Sequence, residues 1–259
     1  MKQLKAIAMV GLTALIAVGL VATPVAGATE PQAPTLKGGH IHIPPYAYSE
    51  EGHSRGSLVE LARHVFTEMG QPVEFVQHPA ARLYRQLESG ETEFTLGVAQ
   101  LHSLDDVTVA SSRPAATLTL AVYRRAETDP VQNLEDLTDQ HVILMQGYSY
   151  GQAGRFFERH ADQMMITQAR NHASALRMIQ HGRADYLLNY QTAAESTIQE
   201  NGLTDLERDV IGEVGIHLYV SSSLDNAESL AERWDEQLRE LKQQDALPSI
   251  NHGNGTDDR

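Results

Sequence analysis

Apolar positions along most of the chain follow two repeats, one of every second residue and one of every third or fourth, which predicts strands and helices in alternation. Residues 40–43 alternate polar and apolar as a strand does, and residues 57–69 set Leu58, Leu61, Ala62, Val65 and Phe66 on one helical face. Residues 73–76 predict a second strand. Pro79 opens the next helix, where its missing N–H is harmless, with Leu83 and Leu87 turned inward and Gly90 as the stop. With a third strand over 93–98, the order is that of a parallel sheet with helices on both faces.

A second series follows. Residues 117–123 predict a long β-rich crossing, 142–145 a strand, 151–159 and 173–180 helices, 184–188 a strand and 191–199 a helix. Residues 216–220 predict a strand running back, and 227–243 an amphipathic terminal helix carrying Leu230, Trp234, Leu238 and Leu241. Two similar α/β units in one chain predict two lobes.

The ends differ from this interior. Met-Lys-Gln-Leu-Lys is followed by an apolar run over 6–22, then Pro24 and the small residues Ala26-Gly27-Ala28, the layout of a signal peptide cleaved after residue 28. An uncleaved membrane anchor is the competing reading of the same run. The expected destination is the periplasm. Residues 29–35 are a polar, proline-containing lead-in, and 249–259 predict a disordered tail. The chain has no cysteine, so it carries neither a disulfide nor a lipid-attachment cysteine, and a core must come from the roughly 230 residues after the leader. Removing Lys2 and Lys5 takes the formal net charge from −14 to −16, which disfavours nucleic acid and anionic lipid as partners.

Four stretches together resemble the family 3 extracellular solute-binding proteins, the capture components of polar amino acid ABC transporters. They are Pro44-Pro45-Tyr46-Ala47-Tyr48 with Gly52, Gly56 and 58–62; Pro79-Ala80-Ala81-Arg82 with Leu87 and 88–93; Asn133-Leu134-Glu135-Asp136-Leu137 leading to Gly147-Tyr148-Ser149-Tyr150-Gly151; and Gly182-Arg183-Ala184-Asp185-Tyr186 with 187–194. The similarity spans about residues 36–248. It implies a type II periplasmic-binding-protein-like α/β fold of two lobes, each a mainly parallel sheet flanked by helices, joined by two crossing strands. One lobe would take 36–119 plus 215–248 and the other 120–214. A small polar solute, an amino acid or a related amine or carboxylate, would sit between them, in a monomer that docks on an inner-membrane ABC permease.

The candidate ligand-binding set is Tyr46, Arg82, Ala99, Arg113, Tyr148, Ser149, Tyr150, Asn189 and Tyr190. In family members an arginine after the third strand forks onto the ligand carboxylate. Here that position falls at Leu104 or Asp105, and Tyr190 stands where an aspartate usually takes the amine. Arg82 and Arg113 are the candidate substitutes, each competing with a solvated surface arginine. The 147–151 loop joins a strand to a helix, a geometry suited to an anion and equally to an ordinary serine-capped turn. Tyr46, Tyr48, Tyr148 and Tyr190 make a candidate aromatic cage, or else half-buried packing.

Twelve histidines raise a metal reading, centred on His40 and His42 with His53 nearby, but no cysteine or tight carboxylate cluster accompanies them. No cofactor is expected. Gly-x-Ser-x-Gly, the P-loop and His-Glu-x-x-His are all missing from the sequence. The competing readings are a sensory or accessory binding protein, and an enzyme on the same fold resembling cyclohexadienyl dehydratase.

Overall fold

The computed structural model describes residues 33–98, 104 and 106–250. The predicted signal peptide, Ala99, Asp105 and the tail beyond Ile250 lie outside those residues.

Strand β1 (Leu36–His40) lies four residues earlier than the 40–43 alternation predicts. Gly38 and Gly39 hide it from a hydrophobic pattern, yet both are needed: a Cβ on Gly38 would run into Phe75 and Phe94, and one on Gly39 into Leu83 and Thr92. Past His40 the chain leaves the sheet, and Ile43 bridges Ala47 around Pro44 and Pro45. A small hairpin, β2 (Tyr48–Glu50) with β3 (His53–Arg55), precedes helix α1 (Ser57–Glu68). Gly56 enters that helix at φ 111°, and a Cβ there would collide with the Tyr46 carbonyl.

Strands β4 (Val73–Gln77) and β5 (Phe94–Val98) flank β1 in parallel, with α2 (Ala80–Ser89) as the connecting helix between them. As predicted, α2 begins after Pro79 and stops at Gly90, which is left-handed. A short β6 (Thr108–Ala110) leads to β7 (Ala116–Arg125). Beyond β7, the parallel strands β8 (His141–Met145), β9 (Met165–Ala169) and β10 (Tyr186–Tyr190) alternate with α3 (Gln152–Arg159), α4 (His172–Gln180) and α5 (Gln191–Asn201).

Strand β11 (Leu206–Ser221) then returns, pairing antiparallel with β7 over 206–216 and with β5 over 216–220. The prediction caught only its last third, because Glu207, Arg208, Asp209 and Glu213 interrupt the apolar pattern of the rest. Among the described residues, the nine strands other than β2 and β3 form one sheet in the order β4-β1-β5-β11-β7-β10-β8-β9, with β6 beside β11. The two long antiparallel strands β7 and β11 therefore join a parallel set on each side, the two-lobed arrangement the resemblance implies.

Helix α6 (Ala227–Gln243) has the predicted limits and buries Leu230, Trp234, Leu238 and Leu241. Trp234 packs on Phe66 at 4.9 Å between ring centres, and Phe66 on Phe94 at 4.7 Å, so one aromatic row fastens α6 and α1 to the sheet. Among the described residues, no helix is long and apolar enough to cross a membrane.

Candidate functional site

The carboxyl ends of β1, β5, β8 and β10 face one another across the sheet's midline, where open α/β sheets leave room for ligands. A chamber of about 70 Å³ lies there, several times the roughly 10–15 Å³ that one water needs. Its wall is mostly apolar, with Ile43, Leu58, Val59, Leu83 and Ile216 among the lining residues, and Gly147, Tyr148, Ser149 and Tyr190 close it from the β8 and β10 side. None of the described lining residues is an aspartate, glutamate, lysine or arginine.

The histidine in the wall is His40. It is 6% exposed, its Nε2 pairs with Ser54 Oγ at 2.8 Å and its Nδ1 with the Ile41 carbonyl at 3.0 Å. Burial holds its pKa below the usual histidine value, and His78, His42 and Arg63 push the same way. His42 is exposed and lies 3.4 Å from Gln77 Oε1. No group of three or more metal-ligating side chains comes together among the described residues.

A wider recess of about 460 Å³ adjoins the chamber and shares Tyr84, Gly147, Tyr148 and Ser149 with it. Here charge appears, as Arg155 and Glu158 of α3. The chamber is thus apolar, and the adjoining recess carries charge.

The 147–151 loop shapes both spaces. Gly147, Tyr150 and Gly151 all have positive φ, at 82°, 55° and 57°. The Tyr148 N–H turns back to the Met145 carbonyl at 3.2 Å, so it serves the turn. Tyr150 is 1% exposed; its hydroxyl accepts from the Met145 N–H at 2.8 Å and donates to the Leu188 carbonyl at 3.2 Å, and burial raises its pKa well above the ordinary phenol value. Gly154 is required for the loop to pass this close, because a Cβ there would strike the Ser149 carbonyl.

Tyr148 and Tyr190 stack at 5.5 Å with 24° between planes, and Tyr46 meets Tyr190 edge-on at 6.3 Å. Burial raises the pKa of all three phenols, so each keeps its proton at neutral pH. Behind Tyr148 lies a buried polar chain: Tyr148 Oη pairs with His172 Nε2 at 2.9 Å, His172 Nδ1 with Asn189 Nδ2 at 2.8 Å, and Asn189 Oδ1 accepts from the Tyr190 N–H at 2.9 Å. Burial lowers the His172 pKa to about 4, and His42 pushes the same way.

Of the nine residues named from the sequence, Tyr148, Ser149 and Tyr190 line the chamber, and Tyr150 lines the recess. Asn189 is fully buried behind Tyr148, and Tyr46 supports Tyr190 without lining either space. Arg82 is exposed on α2 and lines neither space. Arg113 is also exposed and lines neither space; its backbone N–H donates to Asp235 Oδ1 of α6 at 3.0 Å. Leu104, at one candidate anchor position, is buried with Leu83, Leu87 and Tyr219. Tyr84 and His172 were not named from the sequence, and His40 was named only for the metal reading. A histidine in the first turn of α4, facing inward, was the one local sign of His172.

No family model matches the sequence, and no curated protein matches it. Solved structures do match. A histidine kinase sensor domain with similarity to periplasmic binding proteins superposes with a TM-score of 0.67 at 24% identity, over 83% of this chain and 92% of its own. The fold is that of the periplasmic binding proteins. An ancestral arginine-binding protein bound to arginine follows at 0.66 and 19% identity, over 83% of this chain and 95% of that one. A protein described in work on glutathione import via GshT and the cystine ABC importer TcyBC of Streptococcus mutans gives 0.68 at 16% identity, over 84% and 98%. Sharing this periplasmic-binding-protein fold, the chain presents its cleft at the sheet's midline, between the two parallel strand sets.

Proposed function

We propose that this chain is an exported solute-binding protein that captures a small molecule in the cleft and releases it unchanged. The observation that carries the reading is the chamber itself, walled from one side by β1 and β5 and from the other by the 147–151 loop and Tyr190, so that any occupant touches both parallel strand sets. Lobes of 36–119 plus 215–248 and of 120–214 would close on it about β7 and β11, and closure would report occupancy. The protein would be a periplasmic monomer, freed of residues 1–28, that presents its closed form to an ABC permease. The neighbour from work on glutathione import is tied to an ABC importer, which favours that partner; the sensor-domain neighbour favours a second reading, delivery to a membrane receptor.

A thermal-shift screen of the full chain with amino acids, amines, carboxylates and neutral aryl amides tests capture, and mass analysis of recovered compounds tests whether they are unchanged. Stabilisation with intact compound is the expected result. Conversion of a stabilising compound would transfer the protein to the enzymes of this fold, and absence of any stabilisation would sink the reading.

A further inference from the structure

Asn189 fixes the direction of a hydrogen-bond chain. A backbone N–H can only donate, so the Asn189 atom that faces the Tyr190 N–H at 2.9 Å is the amide oxygen, and the amide nitrogen must face His172. That nitrogen donates to Nδ1 at 2.8 Å, so Nδ1 carries no hydrogen. A neutral imidazole then holds its hydrogen on Nε2, which donates to the Tyr148 oxygen at 2.9 Å. Tyr148 is left with its own O–H proton to give away. Of the residues in this chain of hydrogen bonds, Tyr148 is the one that borders both the apolar chamber and the charged recess.

Resting on the solute-binding reading above, we propose that Asn189 and His172 are positioning residues that set Tyr148 as a hydrogen-bond donor to the cleft, selecting a small ligand with an apolar, aryl-sized body, a carbonyl-type acceptor and no ammonium group. The body goes to the chamber, whose described wall offers no carboxylate to pair an ammonium and packs Ile43, Leu58, Val59, Leu83 and Ile216 instead. The acceptor meets Tyr148. An ammonium at that point would confront a donor, and both buried histidines nearby, His40 and His172, are held neutral by burial. Beside it Tyr190, a buried phenol that carries no charge, stacks on Tyr148.

Two measurements on the full chain test this. Long-range nitrogen–proton NMR correlations on histidine-labelled protein read the His172 tautomer without any ligand: a hydrogen on Nε2 is expected, and a hydrogen on Nδ1 overturns the proposal. Calorimetry then compares phenylacetamide, phenethylamine and phenylalanine, which share a ring and differ in the polar end. Phenylacetamide is expected to bind most tightly, Tyr148→Phe to weaken it about fivefold to tenfold, and His172→Gln, whose amide can still present an N–H to Tyr148, to weaken it less than His172→Leu. Tighter binding of phenethylamine or phenylalanine, or an unchanged affinity in Tyr148→Phe, overturns the ligand class while leaving solute capture standing. If none of the three binds and the wider thermal screen is also empty, both fall.

Discussion

Arg124 and Asp209 form a two-pronged ion pair across β7 and β11, Nε to Oδ2 at 2.7 Å and Nη2 to Oδ1 at 3.3 Å. Asp209 Oδ2 also accepts the Val131 N–H at 3.0 Å, and Arg124 Nη1 donates to the Thr128 carbonyl at 3.0 Å, so the pair ties both crossing strands to the turn after β7. The side chains are only 10% and 17% exposed. Asp209→Ala would strand a mostly buried guanidinium, and a loss of about 2–3 kcal/mol in urea unfolding is expected. A change within 0.5 kcal/mol would show that the pair adds nothing to the junction.

Acid should weaken the fold before its carboxylates titrate. His172 has a folded pKa of about 4 against 6.5 for the free side chain, with burial the main cause and His42 adding to it; His40 is shifted in the same direction. Between those values the unfolded chain binds a proton that the folded one refuses, so stability falls as pH drops from 6.5 and levels off below 4, by about 3 kcal/mol for His172. Asp209 acts in a lower window, since its depressed pKa adds stability that is lost only as pH falls below the ordinary value of 3.8. Urea midpoints measured from pH 7 to pH 4 should show the slope, and His172→Gln should flatten it. An equal slope in that variant would rule His172 out as the source.

Gly154→Ala separates helix propensity from close approach. In an open helix the change adds about 0.5–1 kcal/mol of stability. Here the new methyl meets the Ser149 carbonyl, so the 147–151 loop must move, and a loss of about 1–3 kcal/mol is expected. A thermal melt that rises in Gly154→Ala would mean that the loop yields freely.

Trp234 anchors α6 through its ring, and its indole nitrogen is buried without a hydrogen-bond partner. Trp234→Ala should cost about 3–5 kcal/mol by opening a cavity against Phe66. Trp234→Phe removes the unpaired N–H together with part of the ring and should cost clearly less. Equal losses in the two variants would place the anchor elsewhere in α6.

The helices and the parallel order were legible because Leu58, Leu61, Val65 and Phe66, or Leu230, Trp234 and Leu238, repeat at helical spacing and are buried as that spacing predicts. Strand β1 was misplaced because its packing depends on the missing side chains of Gly38 and Gly39, which carry no apolar signal. Strand β11 was cut short because its first half spends charged residues on cross-strand partners such as Arg124. At the site, the aromatic positions 148 and 190 could be read from the glycine-bounded loop and the strand after Gly182. The His172 chain could not, because its members sit on α4, β8–α3 and β10 and meet only in three dimensions.

The central claim, capture of a solute inside the chamber, is tested most directly by calorimetric titration of the compound that gives the largest thermal shift, into the full chain and into Ser149→Trp. Ser149 lines both the chamber and the recess, so an indole there fills the junction. One-to-one binding with a negative heat-capacity change, lost in the variant while its circular dichroism is unchanged, is the predicted result. Undiminished binding in Ser149→Trp would contradict it.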